Sequence, residues 1–112
     1  MNDQLSTDLV VSAQIRIAAQ QGIPITVVHR GDASSGTIIL KINKLDGTFC
    51  VYTQIRLEDE LVWSRAHAAA TISENEADRY LEKQLSFDPD LWALEVEDRH
   101  GNLWFPGRIH DL

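Results

Sequence analysis

Asp46-Gly47 narrows what this chain can fold into more than any other feature. It stands between two segments rich in β-branched residues, 37–45 and 48–57, and Asp-Gly in that setting is the strongest short-range signal for a β-hairpin. With a two-residue turn Leu45 faces Thr48, and the pairs Ile42–Val51, Leu40–Thr53 and Ile38–Ile55 follow. Those side chains point to one face, the expected core. Lys41 pairs with Tyr52, Asn43 with Cys50 and Ile39 with Gln54 on the other. A slip of one residue would bury Lys41 and expose Ile42, so the alternation ties the register to the core.

Around the hairpin the period of the apolar residues changes twice. Residues 8–21 predict a first helix, with Ser6 or Thr7 as its cap and Gly22 and Pro24 ending it. Leu9, Val10, Ala13 and Ile17 recur at helical spacing and give it one apolar face. Residues 25–30 form a β-branched strand, and 31–36 a loop. Glu58-Asp59-Glu60 turns into a further strand over 61–66. Ser73-Glu74-Asn75-Glu76 matches a capping box, and Ala77, Tyr80, Leu81 and Leu85 supply the apolar face of a second helix, which Asp88-Pro89-Asp90 stops. A last strand covers 91–98. Leu103-Trp104-Phe105 is a short segment before Pro106 and Gly107, which make the tail an edge strand or coil.

The expected architecture is therefore α+β. It has an antiparallel sheet of four to six strands in the order α-β-β-β-β-α-β, with one further short strand as an option, and both helices on one face. One domain spans 1–112, with mobile ends at 1–6 and 106–112. The 44% hydrophobic and 24% charged content suits a globular core. The single Cys50 cannot form an internal bridge, which points to a reducing compartment. With no apolar leader and no apolar run near the roughly 20 residues of a membrane span, the expectation is a cytoplasmic protein with no membrane partner. The net charge of −7, carried mostly beyond Glu58, makes nucleic acid an unexpected partner, because an acidic surface repels phosphate backbones.

Short stretches spread along the chain carry a likeness to other proteins. They are Val11-Ser12-Ala13, Gly22-Ile23-Pro24, Arg30-Gly31-Asp32, Lys41-Ile42-Asn43 with Asp46-Gly47, Gln54-Ile55-Arg56 and Trp63-Ser64-Arg65-Ala66. Beyond them come Glu76-Ala77-Asp78, the more specific Phe87-Asp88-Pro89-Asp90-Leu91-Trp92, and Glu95-Val96-Glu97-Asp98-Arg99. In these the chain resembles a bacterial family of small uncharacterised proteins, a domain of unknown function of about this length. The resemblance implies no activity, cofactor or catalytic residue.

Three chemistries can be weighed on the residues themselves. Arg30-Gly31-Asp32 spells an adhesion tripeptide, but reads as a turn in which Gly31 takes a positive φ. Asp88, Asp90, Glu95 and Glu97 supply oxygen ligands of the kind a metal-dependent hydrolase or nuclease uses, whereas His29, His67, His100 and His110 lack ligand spacing. The face opposite the expected core carries Lys41, Tyr52, Gln54 and Arg56. Trp63 and Arg65 are candidates to join it, and Arg99 to extend it. Aromatic and guanidinium groups on an uncovered sheet are common in binding surfaces. The leading expectation is thus a non-enzymatic interaction or ligand-binding module, without a cofactor, whose partner is a protein or a small ligand. The alternatives are the carboxylate hydrolase and a homodimer with its functional site at the interface.

Overall fold

The computed structural model describes residues 5–110. Two helices and six strands follow one another as α1 (Thr7–Gln20), β1 (Ile25–His29), β2 (Ile38–Asn43), β3 (Phe49–Leu57), β4 (Glu60–Arg65), α2 (Glu74–Phe87), β5 (Trp92–Glu97) and β6 (Ile109–His110). The α+β class and the expected element order both hold. The expected mobile ends fall partly on residues 1–4 and 111–112, which lie outside the described residues.

The sheet is mixed rather than antiparallel. Its strand order is β1-β5-β2-β3-β4-β6. The pairs β1–β5, β2–β3 and β3–β4 are antiparallel, but β5 runs parallel to β2 and β6 parallel to β4. α2 is the cause, because it carries the chain back over the sheet and inserts β5 between β1 and β2. Hairpin logic sees only neighbours in sequence and cannot anticipate that insertion.

The helices cover opposite faces, not one. Val11 and Ala18 of α1 pack in a core with Ile38, Leu40, Ile42, Cys50, Tyr52 and Leu94. Ala77 and Leu81 of α2 pack with Ile39, Phe49, Val51 and Ala93. The reason lies in β2, whose residues Ile38 to Ile42 are all buried. A strand that is apolar on both sides needs cover on both sides.

The hairpin register also differs from the expected one. Ile42 lies opposite Cys50, Lys41 opposite Val51, Leu40 opposite Tyr52 and Ile39 opposite Thr53. The loop has three residues, closed by the Lys44 N–H donating to the Thr48 carbonyl at 3.1 Å. Leu45 (φ 63°) and Gly47 (φ 87°) both sit in the left-handed region. Asn43 Oδ1 accepts from the Leu45 N–H at 2.8 Å, and Asp46 Oδ1 from the Thr48 N–H at 3.0 Å. These side-chain bonds offset the strain at Leu45. Ile38, Leu40 and Ile42 share a core face as expected, while every β3 side chain changes sides.

The caps divide in the same way. Ser73 accepts from the Glu76 N–H at 3.2 Å, as the capping box requires. Ser6 holds the cap position of α1 but its side chain makes no capping bond, donating instead to Asp8 at 2.7 Å. The stripe expected to be the inner face of α1 is split: Val10 packs against the core, but Leu9 is 58% exposed and Ile17 48%, and the fully buried residues are Val11 and Ala18.

Candidate functional site

The seven residues expected to line one polar sheet face divide three ways. Lys41 lies on the α2 side, where its ammonium is 2.7 Å from Asp78 Oδ1, 3.0 Å from Glu74 Oε2 and 3.5 Å from Glu95 Oε1. It also lies 5.1 Å from the centre of the Phe49 ring. Only 5% of Lys41 is exposed. Burial pushes the ammonium down, but the hydrogen bonds to Asp78 and Glu74 and the charge of Glu95 outweigh it and hold its pKa above the ordinary lysine value. Asn43 completes the cluster by donating to Glu95 at 3.1 Å.

A lysine raised in this way stabilises the fold fully below its unfolded value of about 10.4 and loses that contribution as pH rises through the higher folded value. The melting temperature is therefore expected to fall above about pH 10.4 in the native protein. In Lys41→Met that part of the alkaline fall should be missing. Matching alkaline profiles for the two proteins would remove Lys41 from the account.

Tyr52, Gln54, Arg56, Trp63 and Arg65 share the α1 side of the sheet, since Tyr52 lies opposite Arg65 and Gln54 opposite Trp63. Tyr52 and Trp63 are buried. The Trp63 indole donates to the Pro106 carbonyl at 3.0 Å and meets Phe105 edge-on, so it anchors the segment that follows β5. Arg65 is exposed on the outer part of β4, and Arg99 is exposed in the turn after β5. The structure therefore brings neither Lys41 nor Arg99 to the other five.

Gln54 and Arg56 sit where the sheet face is left uncovered. β3 turns into β4 through Glu58 (φ 48°) and Asp59 (φ 70°), a tight two-residue turn formed without glycine. Arg56 Nη1 donates to the Asp59 carbonyl at 3.2 Å across it. Between this hairpin, the start of α1 and the loop before β2 lies a cleft of about 330 Å³. Leu5, Val10, Ile38 and Leu61 form its apolar part, and Thr7, Ser34, Ser35, Thr37 and Gln54 its polar part. Arg56 is the one charged residue among the described residues that line it. Gln54 accepts from the Ile38 N–H at 3.2 Å through its carbonyl oxygen, and Thr7 donates to the Gly36 carbonyl at 2.9 Å.

The loop that walls the cleft is held tightly. Asp32 donates its N–H to the Asp90 carbonyl at 2.9 Å, and the Trp92 indole donates to the Asp32 carbonyl at 2.8 Å. The Asp32 carboxylate accepts from the Ser35 N–H and hydroxyl and from the Ser34 N–H, and these bonds lower its pKa against a small opposing effect of burial. Arg30 stacks over Trp92 at 5.0 Å. Gly31 does not have the expected positive φ. Its role is close approach: a Cβ there would meet the Asp90 carbonyl oxygen and lie 2.6 Å from the Leu91 carbonyl carbon. Sequence reasoning named Gln54 and Arg56 but missed the walls. The run Ser34-Ser35-Gly36-Thr37 between two strands was the available signal.

The carboxylates proposed as metal ligands are not gathered. Asp88 caps the end of α2 and accepts from the Asp90 N–H at 3.0 Å. Glu95 is five residues beyond Asp90, roughly 16 Å along an extended chain, and is engaged by Lys41 and Asn43. Among the described residues no group of three or more His, Cys, Asp or Glu side chains is placed to hold a metal ion. No helix there is long and apolar enough to cross a membrane.

Known proteins share this architecture. A family model described as "Protein of unknown function (DUF1491)" matches residues 5–105. The crystal structure of a DUF1491 family protein from Caulobacter crescentus CB15 superposes with a TM-score of 0.84 at 32% identity, covering 96% of this chain and 100% of that one. An NMR structure of a DUF1491 family protein from the same organism gives the same score and identity over 97% and 99%. The solution structure of protein Atu0922 from A. tumefaciens gives 0.71 at 25% identity over 83% and 85%. No curated protein matches the chain.

Proposed function

The chain belongs to the DUF1491 family, whose description names no activity, and from that premise we propose a non-enzymatic, single-domain module that binds a small anionic ligand in the cleft beside Arg56. One observation carries the reading. In a protein of net charge −7, the described residues of the cleft walls include a single charged side chain, and it is a cation. A guanidinium held in place by its own turn is suited to a carboxylate or phosphate. The Gln54 amide group and the Ser34 and Thr37 hydroxyls are donors for the same head group. Leu5, Val10, Ile38 and Leu61 suit an apolar body, and the volume fits a small ligand.

Thermal-shift titrations with benzoate, phenyl phosphate and octanoate test the proposal, with benzyl alcohol as the neutral control. At least one anion is expected to raise the melting temperature, by mass action on the folded state. Arg56→Ala should fold normally, since Arg56 is exposed, and should lose most of that shift. No shift with any anion, or the same shift in Arg56→Ala, rules out an anion held by Arg56.

A further inference from the structure

We infer that the cleft beside Arg56 takes the carboxyl-terminal end of a polypeptide chain, held as a short strand against β3, a reading that rests on the proposed anion site and names the class of its ligand. The backbone of β3 is the starting point. Phe49 exchanges both of its backbone bonds with Ile72, and the Val51 carbonyl accepts from the Ala66 N–H at 2.9 Å. The odd-numbered residues of β3 therefore turn their N–H and C=O groups toward β4, and the even-numbered ones toward β2. The Lys44 bond to the Thr48 carbonyl fixes the same parity from the other side. Arg56 thus presents its N–H and C=O on the β2 side of the strand, although β2 does not reach it.

The ladder between β2 and β3 ends at Ile39 and Thr53. Continued in register, it would set Gly36 opposite Arg56. Gly36 is drawn away instead. Its N–H donates to the Asp32 carbonyl at 3.3 Å, its carbonyl accepts from Thr7 at 2.9 Å, and a Cβ there would strike the Asp90 carbonyl oxygen. The chain is held toward β5, and the place of a neighbouring strand stays open beside Arg56. Among the described residues, no backbone group pairs with the Arg56 N–H or C=O on that side. The cleft lies there, with residues 34–37 on one wall and Gln54 and Arg56 on the other.

These groups select the ligand. A simple carboxylate or phosphate accepts from the guanidinium and from the Arg56 N–H, but it offers nothing to the adjacent C=O. A peptide supplies both an acceptor and an N–H donor, which is how an extended segment adds to an exposed sheet edge. Its terminal carboxylate meets the Arg56 guanidinium, and its last side chain meets Leu5, Val10, Ile38 and Leu61. At about 330 Å³ the cleft is small for a ligand site, so it admits a chain end rather than a long segment.

NMR titration of the full chain with acetyl-Gly-Leu tests the assignment. Three further probes each remove one feature. Acetyl-Gly-leucinamide lacks the carboxylate, acetyl-sarcosyl-N-methylleucine lacks the N–H donors, and octanoate lacks the peptide groups altogether. Acetyl-Gly-Leu should bind about tenfold or more tightly than each of them, and should shift the Arg56 amide resonance. In the free protein that amide should exchange rapidly with solvent. Arg56→Ala keeps the backbone, so it should abolish the preference for carboxylate over carboxamide while the penalty for N-methylation stays. Octanoate or the methylated peptide binding as tightly as acetyl-Gly-Leu overturns the peptide assignment and leaves an anion site at Arg56. An Arg56 amide protected in the free protein also overturns it, because the chain then fills the slot itself. Failure of every carboxylate to bind overturns both the peptide assignment and the anion site.

Discussion

Ile42→Asp is expected to leave the protein unfolded at room temperature. Ile42 is fully buried, lies opposite Cys50 on one side and beside Val96 on the other, and contributes to the core beneath α1. A carboxylate there has no partner. Whether it stays charged or takes up a proton, the desolvation cost and the lost packing together rival the roughly 5–15 kcal/mol that holds a domain folded. Leu45→Asp, three residues away, should by contrast change stability by no more than about 0.5 kcal/mol. Leu45 is 57% exposed with φ 63°, and aspartate tolerates the left-handed region better than leucine does. Circular dichroism in urea reads both variants. Comparable losses would mean that the loop has two residues and Leu45 belongs to the strand.

Gly31→Ala should cost several times what Gly22→Ala costs, although both remove a glycine from a loop. At Gly22 nothing lies within 4 Å of the added methyl and the penalty comes from φ 76° alone, about 1 kcal/mol. At Gly31 the methyl would strike the backbone of Asp90 and Leu91, and backbone cannot rotate away. The loop must lift, which breaks the Asp32–Asp90 and Trp92–Asp32 hydrogen bonds and opens the core at Trp92. A loss of roughly 3 kcal/mol or more follows from overpacking combined with broken buried bonds. Denaturant midpoints measure the two side by side. Equal midpoints would show that the loop is not seated on β5.

Which parts of this structure the sequence disclosed follows from the range of the forces involved. The element order, the capping box at Ser73 and the hairpin at Asp46-Gly47 depend on residues within a few positions of each other, and all three were legible. The register was not, because Asn43 and Asp46 add side-chain bonds that stabilise a third loop residue. The covering of both sheet faces was hidden by Lys41, whose charge makes β2 look half-solvated until α2 and β5 supply three carboxylates around it. α1 misled in the opposite direction. Its stripe at Leu9, Val10, Ala13 and Ile17 has the period of a core face, yet of these only Val10 packs against the core, because periodicity cannot say which apolar face meets the sheet. Gln54 and Arg56 could be named from their strand. Their neighbours in the cleft come from Thr7 and residues 34–37, and only the tertiary fold brings them together.

The place of β5 between β1 and β2 has a consequence for how the chain is made. During synthesis the β1 segment emerges with no strand to join, and its only partner in the sheet is completed some seventy residues later at Glu97. Until then Thr26, Val27 and His29 stay unpaired, and Leu40 and Ile42 lack one neighbour. Only the pairs within the β2–β3–β4 meander can form early. Folding therefore waits on a late, long-range closure, which belongs to slow folding classes and leaves an aggregation-prone nascent chain. A ribosome stalled before Trp92 would hold a meander with a bare edge, and a neighbouring chain's unpaired strand could fill the slot meant for β5.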